Sequence, residues 1–389
     1  QMSDEYCTKW NIVSLKDKRF YTYGLKTGLI TALDIVKLSI WKVFSFTGIN
    51  LKPLLKSSVL LKEIYDADLI IDFSGDIYGD NAGWTNYLES NAELIFARIL
   101  KKKIAMIIGS PGPFKSTWRQ VLAKSNLMNI DLLTNREVKS TEFLEYIGIK
   151  GSHVYSTACP SVLFKKEEDG SMLPIFEKES LNKKRKRPLI GLILCGWNMP
   201  KAPYNKWPRE DWEYESFIEL IKYLANEKGV DVCVMSHQNG TDKQRNLTKQ
   251  NDHKIIERLF ELLGSDYDKE KIFTLKGLYT ASQSKAIISK FDVVVSGRIH
   301  GAVQGMSQYI PTAIIDYGHE PKAHKLKGFA EVYDVIENVV DPLDINQMKS
   351  VVSKLIEEKD YYREKLESSV PLVKEMALKN FTLLKELVE

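Results

Sequence analysis

The fold of this chain is decided by Phe291–Pro311, which reads FDVVVSGRIHGAVQGMSQYIP. A short apolar run ends at Ser296 and Gly297, and a segment with helical spacing follows at once. Gly297, Gly301 and Gly305 recur at intervals of four residues, so they share one face of that helix. Glycine on this face lets a helix approach a sheet closely. The stretch therefore predicts a strand, a tight turn and a closely packed helix.

Short apolar runs alternate with longer amphipathic segments along the rest of the chain. Runs such as Leu189–Leu194 and Val230–Met235 are continuously apolar, which is typical of parallel strands buried on both faces. Alternating strands and helices predict an α/β fold. Because one core rarely serves more than about 250–300 residues, the 389 residues predict two doubly wound, Rossmann-like domains.

A charged segment marks the predicted domain boundary. Residues 166–188 contain Gly170, Pro174 and Pro188 and show no clear period, as expected of a linker. We predict an N-terminal Rossmann-like domain over 1–165, a C-terminal one over 189–345, and two closing helices flanking Pro371 over 346–389. No strand, glycine loop and helix precede Trp10. The sequence therefore leaves open whether the first strand of the N-terminal domain is missing.

Composition and charge exclude several classes of protein. The chain has 55 Lys+Arg against 51 Asp+Glu, so nucleic-acid binding is not expected. No C-x-x-C pair exists among the four cysteines, and the spacing of His319, Glu320 and His324 is not a usual ligand pattern, so we predict no metal site. No signal peptide is evident, which predicts a cytoplasmic protein, with the inner face of a membrane left open. The oligomeric state is not indicated.

The most apolar stretch is Leu25–Phe46. Asp34, Lys37 and Lys42 interrupt it, so it lacks the roughly 18 consecutive apolar residues that a membrane span needs. An apolar stripe with helical spacing runs along it, formed by Leu29, Leu33, Val36, Ile40 and Val43. We predict a core helix covered on most sides. A surface helix that makes peripheral contact with lipid is the alternative.

Arg298 and His300 are not explained by close packing. They lie where a strand passes into a helix N-terminus, at the sheet edge where ligands of open α/β folds bind. A helix N-terminus favours an anion, and an arginine adds a planar fork for phosphate or carboxylate. A histidine can donate or accept a proton near neutral pH. These two residues predict an anion site with an acid/base group.

Five segments, in a fixed order along the chain, match motifs that occur together in one family. They are Ala67–Ile71 with Ser74–Asp76, Ile107–Phe114, Leu132–Glu137 with Ser140, Gly297–Gly301, and Tyr317–Lys322. In this respect the chain resembles the polysaccharide pyruvyltransferases. The resemblance implies a GT-B-like fold whose active site lies in a cleft between the domains. It also implies transfer of pyruvate from phosphoenolpyruvate to a sugar as a ketal, with no metal or redox cofactor.

The resemblance also implies roles for individual residues. His300 is the expected general acid/base, and Arg298 is the expected catalytic contact to the donor anion. Gly297, Gly301 and Lys322 are expected to complete the donor site. The expected acceptor contacts are Gly75, Asp76, Ser110, Trp197, Asn198 and His237. The acceptor is a saccharide of a surface polysaccharide or its precursor, with a lipid-linked form left open.

Three positions depart from the family pattern, and one of them is the turn near Ser74, which has fewer glycines than usual. Members often carry an arginine after the first strand of the second domain, where this chain has Cys195 and Gly196. The Asp-Pro-Ala of the family is Cys159-Pro160-Ser161 here. Two other functions therefore stay open. One is a GT-B glycosyltransferase that binds a nucleotide sugar near Trp197, His237 and Thr280–Ser282, and the other is a non-catalytic relative that binds a glycan or partner.

Overall fold

Two β-sheets organise the residues that the computed structural model describes, which are 25–47, 49–80, 82–200, 208–238, 252–275, 277–318 and 323–389. Each sheet is the centre of one unit. The first unit comprises the described residues up to Asn135, together with Thr141–Tyr155 and Thr382–Glu389. The second unit comprises Arg136–Ser140 and Ser156–Phe381. The fold is therefore α/β with two sheets, as the sequence predicts.

The first sheet has the strand order β1-β2-β3-β4. Its strands are Leu69–Asp72, Lys103–Gly109, Leu132–Asn135 and Val154–Ser156. The helices before and between them, α1 to α6, are Leu25–Phe44, Lys52–Lys56, Val59–Asp66, Trp84–Ile99, Thr117–Leu127 and Val138–Tyr146. Each strand lies beside its predecessor in sequence, so the described part of this sheet extends in one direction only.

Both faces of the first sheet are covered. On β2, Ile104 and Met106 point into a cluster with α4, α5 and α6, while Ala105 and Ile107 point to the opposite face. The opposite face packs against leucines of the last helix of the chain, Leu383, Leu384 and Leu387. The continuous apolar character of β2 follows from this burial on both sides.

The second sheet has six strands, and all five strand pairs are parallel. The strands β5 to β10 are Leu189–Ile193, Asp231–Met235, Ile272–Thr274, Val293–Ser296, Thr312–Ile315 and Val339–Val340. The helices α7 to α14 are Asp169–Lys178, Glu215–Asn226, Asp252–Leu263, Ala281–Ile288, Ile299–Met306, Ala323–Val332, Ile345–Glu357 and Lys359–Val388. Numbered within this unit, the strand order is 3-2-1-4-5-6, the Rossmann order. The direction of winding therefore changes between β5 and β8.

The predicted linker over 166–188 differs from the structure. Helix α7 occupies Asp169–Lys178, and its Met172 and Phe176 are buried with Leu189 of β5 in the second unit. The units divide between Tyr155 and Ser156 instead. The helix escaped detection because Pro174 lies inside it and only a few of its apolar residues face the core.

The C-terminal helices also break at a different place. The helices α13 and α14 are separated at Glu358, and Pro371 lies inside α14 rather than between two helices. A proline removes one helical hydrogen bond. Val370 and Val373 on either side of it are buried against the second unit, and this packing offsets the loss.

The helix α1 was predicted as a covered core helix, and that expectation is wrong. Leu38 is 2% exposed and packs in the core with Trp41, but the predicted stripe faces outward. The exposed side chains of that stripe are Leu29, Leu33, Val36, Ile40 and Val43. Within the described ranges, no helix is long and apolar enough to cross a membrane.

Candidate functional site

The carboxyl ends of β5, β6 and β8 meet at the point where the second sheet reverses direction. Ile193 pairs with Ser296 across this junction, and the backbone N–H of Gly297 donates to the carbonyl of Ile193 at 2.8 Å. His237 follows β6 at the same edge, and its ring lies beside Gly301. Ligands of open α/β sheets bind at this kind of junction. The described residues of the second unit that were predicted for the site therefore lie together at this edge of the sheet.

The glycines of the opening motif are required by their neighbours. A Cβ atom on Gly297 would lie 1.8 Å from the side-chain oxygen of Asn198. On Gly301 it would lie 2.8 Å from Ser296 Oγ, and on Gly305 it would lie 2.8 Å from Thr312 Oγ1. Real Cβ atoms do not approach so closely, so Gly301 and Gly305 let α11 lie directly on the ends of the strands, whereas Gly297 precedes the helix. This confirms the predicted close packing.

Asn198 holds the ends of two strands, β5 and β9, together. Its Oδ1 accepts from the backbone N–H of Cys195 at 2.9 Å, and its Nδ2 donates to the carbonyl of Ile315 at 3.4 Å. It has no exposed surface. This geometry gives Asn198 a structural task instead of the predicted contact to a sugar. The neighbouring Trp197 is half-buried against Tyr317, with ring centroids 5.6 Å apart.

Arg298 begins α11 and is fixed by a buried ion pair. Its guanidinium donates from Nε to Asp252 Oδ2 at 3.0 Å and from Nη2 to Asp252 Oδ1. Ser296 Oγ accepts from the backbone N–H of Arg298 and donates to its carbonyl. Burial alone would lower the pKa of Arg298, but the neighbouring Cys195 and Asp252 together outweigh it, and the pKa is raised. Arg298 is therefore a cation held in one orientation.

Asp252 is a site residue that sequence reasoning missed. It is the first residue of α9 and has no exposed surface. Besides Arg298, it accepts from the backbone N–H groups of Gln238 at 2.8 Å and His237 at 3.4 Å. One carboxylate thus connects the end of β6 to the start of α11. An acidic residue in a first helical turn is usually an exposed cap, so nothing in the sequence marked it as buried.

His300 lies on the exposed side of the first turn of α11. Cys159, which precedes the short 3-10 helix Pro160–Leu163, is buried, and its Sγ lies 3.0 Å from Ser161 Oγ. Burial would raise the pKa of Cys159, but the hydrogen bond and charge of His300, with the charge of Arg136, lower it to about 7.

His237 has a different environment. Its Nε2 lies 3.4 Å from Gln304 Oε1 on α11. Burial lowers the pKa of His237 to about 4, and the nearby His300 and Arg298 add to the effect. His237 is therefore neutral at physiological pH and suits hydrogen bonding rather than holding an anion by charge.

The predicted residues of the first unit form a turn against the end of β2. Gly75 has φ 76°, which favours glycine, and its carbonyl accepts from the backbone N–H of Ser110 at 2.6 Å. Ser110 is fully buried, and the N–H of Asp76 donates to the carbonyl of Ser74. The burial of Ser110 does not favour its predicted contact with a sugar, whereas Gly75 and Asp76 remain partly accessible.

The remaining predictions at the site have mixed outcomes. Lys322, His319 and Glu320 lie outside the described residues. Within the described ranges, no group of three or more His, Cys, Asp or Glu side chains is arranged to hold a metal ion. The buried Arg209 donates to the carbonyl of Gly196, after β5, at 3.0 Å. An arginine thus reaches this loop from a different place in the sequence.

Residues 5–319 match the model of the polysaccharide pyruvyl transferase family. The chain belongs to this family. Membership makes it a transferase of polysaccharide biosynthesis. A search of curated proteins gave no match.

Solved structures show the same fold at low sequence identity. A putative UDP-N-acetylglucosamine 2-epimerase from Listeria monocytogenes has a TM-score of 0.59 and 11% identity, over 98% of this chain and 85% of that chain. S. aureus MnaA with UDP has a TM-score of 0.56 and 12% identity, over 100% and 88% of the two chains. Anabaena Alr3699/HepE with UDP has a TM-score of 0.54 and 11% identity, over 86% and 81%. These likenesses support a GT-B-like fold for the family member described here.

Proposed function

We propose that this chain transfers pyruvate from phosphoenolpyruvate to two hydroxyls of a sugar as a cyclic ketal. The observation that carries the proposal is the placement of Arg298 and His300 side by side at the reversal point of the second sheet. The donor bears a phosphate and a carboxylate, and a fixed guanidinium at a helix N-terminus suits such an anion. The family match supplies the reaction class.

The proposed reaction needs a side chain that donates and accepts protons next to C2 and the methylene carbon of phosphoenolpyruvate. A proton must reach the methylene carbon of phosphoenolpyruvate while a sugar hydroxyl attacks C2 and loses its own proton. Phosphate then leaves from C2, and a second hydroxyl adds there and loses its proton, which closes the ketal. One proton ends on carbon and one on phosphate. His300 is the residue for this exchange, because it is exposed on the ligand side and can both donate and accept.

Arg298 has the task of binding the donor. Its link to Asp252 fixes the guanidinium plane before any ligand arrives, and a rigid cation loses little entropy on binding. In this proposal the backbone of Gly297 and Gly301 borders the donor. In this proposal Lys322 adds a second cation, and Gly75 with Asp76 contacts the acceptor.

The test measures phosphate release from phosphoenolpyruvate with a panel of galactose, mannose and N-acetylmannosamine acceptors. His300→Ala is expected to lower kcat by about 100-fold or more, the usual contribution of a general acid/base. His253→Ala is the matched control, because His253 lies on the outer face of α9 next to Glu257. Equal rates for wild type and His300→Ala would remove His300 from the mechanism. Thermal stabilisation by UDP but not by phosphoenolpyruvate would favour a nucleotide-sugar transferase instead.

We further propose that the acceptor is lipid-linked and that α1 contacts the bilayer surface. The outward stripe of α1 is apolar. Between Gly28 and Lys56 the one acidic residue, Asp34, is buried, whereas four lysines are half or fully exposed, namely Lys37, Lys42, Lys52 and Lys56. Apolar side chains with lysines beside them match an anionic lipid surface.

Vesicle sedimentation tests this contact. We expect binding to vesicles that contain anionic lipid, weaker binding to zwitterionic vesicles, and loss of binding in Leu33→Gln/Val36→Gln/Ile40→Gln. The matched control is Val121→Gln, an exposed apolar residue on α5. Equal binding of the triple variant and wild type would contradict the contact, as would self-association of wild type that the triple variant abolishes.

A further inference from the structure

We propose that the indole ring of Trp118 is a binding surface for a second sugar unit of the acceptor, beside the unit that receives pyruvate. Trp118 thereby makes an oligosaccharide a better acceptor than a single sugar. The kinetic consequence rests on the proposed function above, whereas the binding of a saccharide rests on the position of this ring and on the family. Trp118 takes no part in the bond-forming steps.

Two exposed tryptophans lie at the carboxyl edge of the first sheet. Trp84 is the first residue of α4, which follows β1, and Trp118 is the second residue of α5, which follows β2. Trp84 is 64% exposed and Trp118 is 48% exposed. Helices that follow parallel strands begin at the edge where those strands end, so both rings share an edge with Gly75 and Asp76. A large ring left exposed at a ligand-binding edge is a candidate ligand contact.

Two loops that are hydrogen-bonded to each other join the predicted acceptor turn to this ring. The loop after β1 and the loop after β2 run side by side, and backbone hydrogen bonds join them from Ser110 to Gly75 at 2.6 Å, from Gly112 to Tyr78 at 2.6 Å and from Asp80 to Pro113 at 2.9 Å. Asp80 also accepts from Ser116 Oγ at 2.7 Å, directly before α5 begins. The path from Gly75 to Asp80 reaches at most about 18 Å, so it has room for more than one sugar ring.

The ring of Trp118 is held in one orientation before any ligand binds. The guanidinium of Arg119 lies 5.0 Å from the centroid of the Trp118 ring and 4.9 Å from that of the Tyr87 ring. The rings of Trp118 and Tyr87 meet edge to face, with centroids 5.4 Å apart and an interplanar angle of 87°. Arg119 is fixed in turn, because its Nη1 donates to the carbonyls of Gly79 at 2.5 Å and Ala82 at 2.8 Å. A ring that is already ordered loses little entropy when a ligand packs on it.

A half-exposed indole matches the chemistry of a sugar. One face of a pyranose ring carries mainly C–H groups, which pack on an aromatic face, while the hydroxyls project outward and stay hydrated. Among the residues that the structure describes, none accepts a hydrogen bond from the indole N–H of Trp118, which leaves this donor for a sugar hydroxyl. Trp212 in the second unit differs, because its indole N–H donates to Glu210 Oε2 at 2.7 Å.

The first measurement compares acceptors of different length. Phosphate release from phosphoenolpyruvate is followed with mono- to tetrasaccharides of galactose and of mannose. Trp118→Leu keeps an apolar side chain but removes the aromatic face, so we expect the KM for the tetrasaccharide to rise about 10-fold with kcat unchanged. The KM for the monosaccharide is expected to stay the same, and Trp118→Phe is expected to recover most of the loss. Trp212→Leu is the matched control, because Trp212 is 47% exposed. An equal rise for all acceptor lengths, or no rise, would overturn the role of Trp118.

The second measurement is independent of catalysis. Calorimetric titration of the full chain with the same saccharides is expected to show tighter binding of the tetrasaccharide than of the monosaccharide, and Trp118→Leu is expected to remove this difference. Equal Kd values for the two saccharides in wild type would overturn the proposal. An exposed tryptophan also suits a lipid surface, so loss of vesicle binding in Trp118→Leu with an unchanged Kd for the tetrasaccharide would assign the ring to lipid instead. Saccharide binding that depends on Trp118, without phosphate release, would support the role of the ring and contradict the proposed function. Phosphate release whose KM does not depend on Trp118 would do the reverse.

Discussion

The carboxyl edges of the two sheets are built in different ways. In the second unit, ionisable side chains meet at the edge, and Arg298 is fixed by the fully buried Asp252. In the first unit, the turn at Gly75 and the loop after β2 are joined mainly through backbone groups, such as the bond from Ser110 N–H to Gly75. The nearest ion pair of that loop, Arg119 with Asp80, spans 3.7 Å.

The two edges thus differ in what they present: the second edge presents a charged side chain, and the first edge presents mainly backbone groups. A buried ion pair is costly to desolvate, so it persists where orientation of a charge matters. A backbone turn presents carbonyl and N–H groups with little net charge. The fixed cation of the second edge agrees with the proposed anionic donor, and we expect the proposed hydroxyl-rich acceptor at the first edge.

The largest expected effect is on the buried ion pair. Asp252→Ala leaves the Arg298 guanidinium buried without its carboxylate, which costs about 3–5 kcal/mol of unfolding free energy. Asp80→Ala in the first unit removes the hydrogen bonds from Ser116 and from the backbone of Lys115 and the longer ion pair with Arg119, at a side chain that is 16% exposed, and we expect a cost of about 1–2 kcal/mol. Urea unfolding, with hydrogen exchange to separate the units, measures both. Equal losses of unfolding free energy in the two variants would contradict the proposed difference between the edges.

Substitutions at Gly297 and Gly75 test the same difference between the two edges, this time at the backbone. In Gly297→Ala, the new methyl group displaces Asn198 from its bonds to Cys195 and Ile315, and we expect a loss of about 3 kcal/mol and a marked fall in kcat. In Gly75→Ala, the strain of a positive φ costs about 1–2 kcal/mol. We expect this variant to change the KM for the acceptor and to spare kcat. Urea unfolding measures the two losses of stability, and steady-state kinetics measure kcat and KM. A larger fall in kcat for Gly75→Ala than for Gly297→Ala would contradict this expectation.

The sequence was informative where the signal is local. The glycine spacing after β8 predicted the close packing of α11, and the strand-to-helix position predicted that Arg298 and His300 share an edge with His237. It could not show that Asp252 pairs with Arg298, because the two residues are brought together by the path of the chain between distant segments. For α1, periodicity gave the helix and its apolar face. It could not show what lies against that face.

A smaller effect is expected from pH, through His237. Its pKa is about 4 in the folded chain and about 6.5 when unfolded, so the unfolded state binds the proton more tightly. Stability is therefore complete above about pH 6.5 and declines as the pH falls toward 4, by about 2 kcal/mol for this half-buried group. In His237→Gln we expect that part of the pH dependence to vanish in urea midpoints. An unchanged pH dependence would show that His237 is not the group responsible.

The smallest effect is expected on the exposed stripe of α1. Leu33 is 59% exposed, so Leu33→Gln should change the free energy of unfolding by less than about 0.5 kcal/mol. Leu38, on the opposite face, is 2% exposed, and Leu38→Gln should cost about 2–5 kcal/mol because it leaves a cavity and buries an amide. Urea unfolding of the two variants compares the faces directly. A loss at Leu33 as large as at Leu38 would mean that the stripe is covered within the folded chain, and it would remove the basis for a lipid contact there.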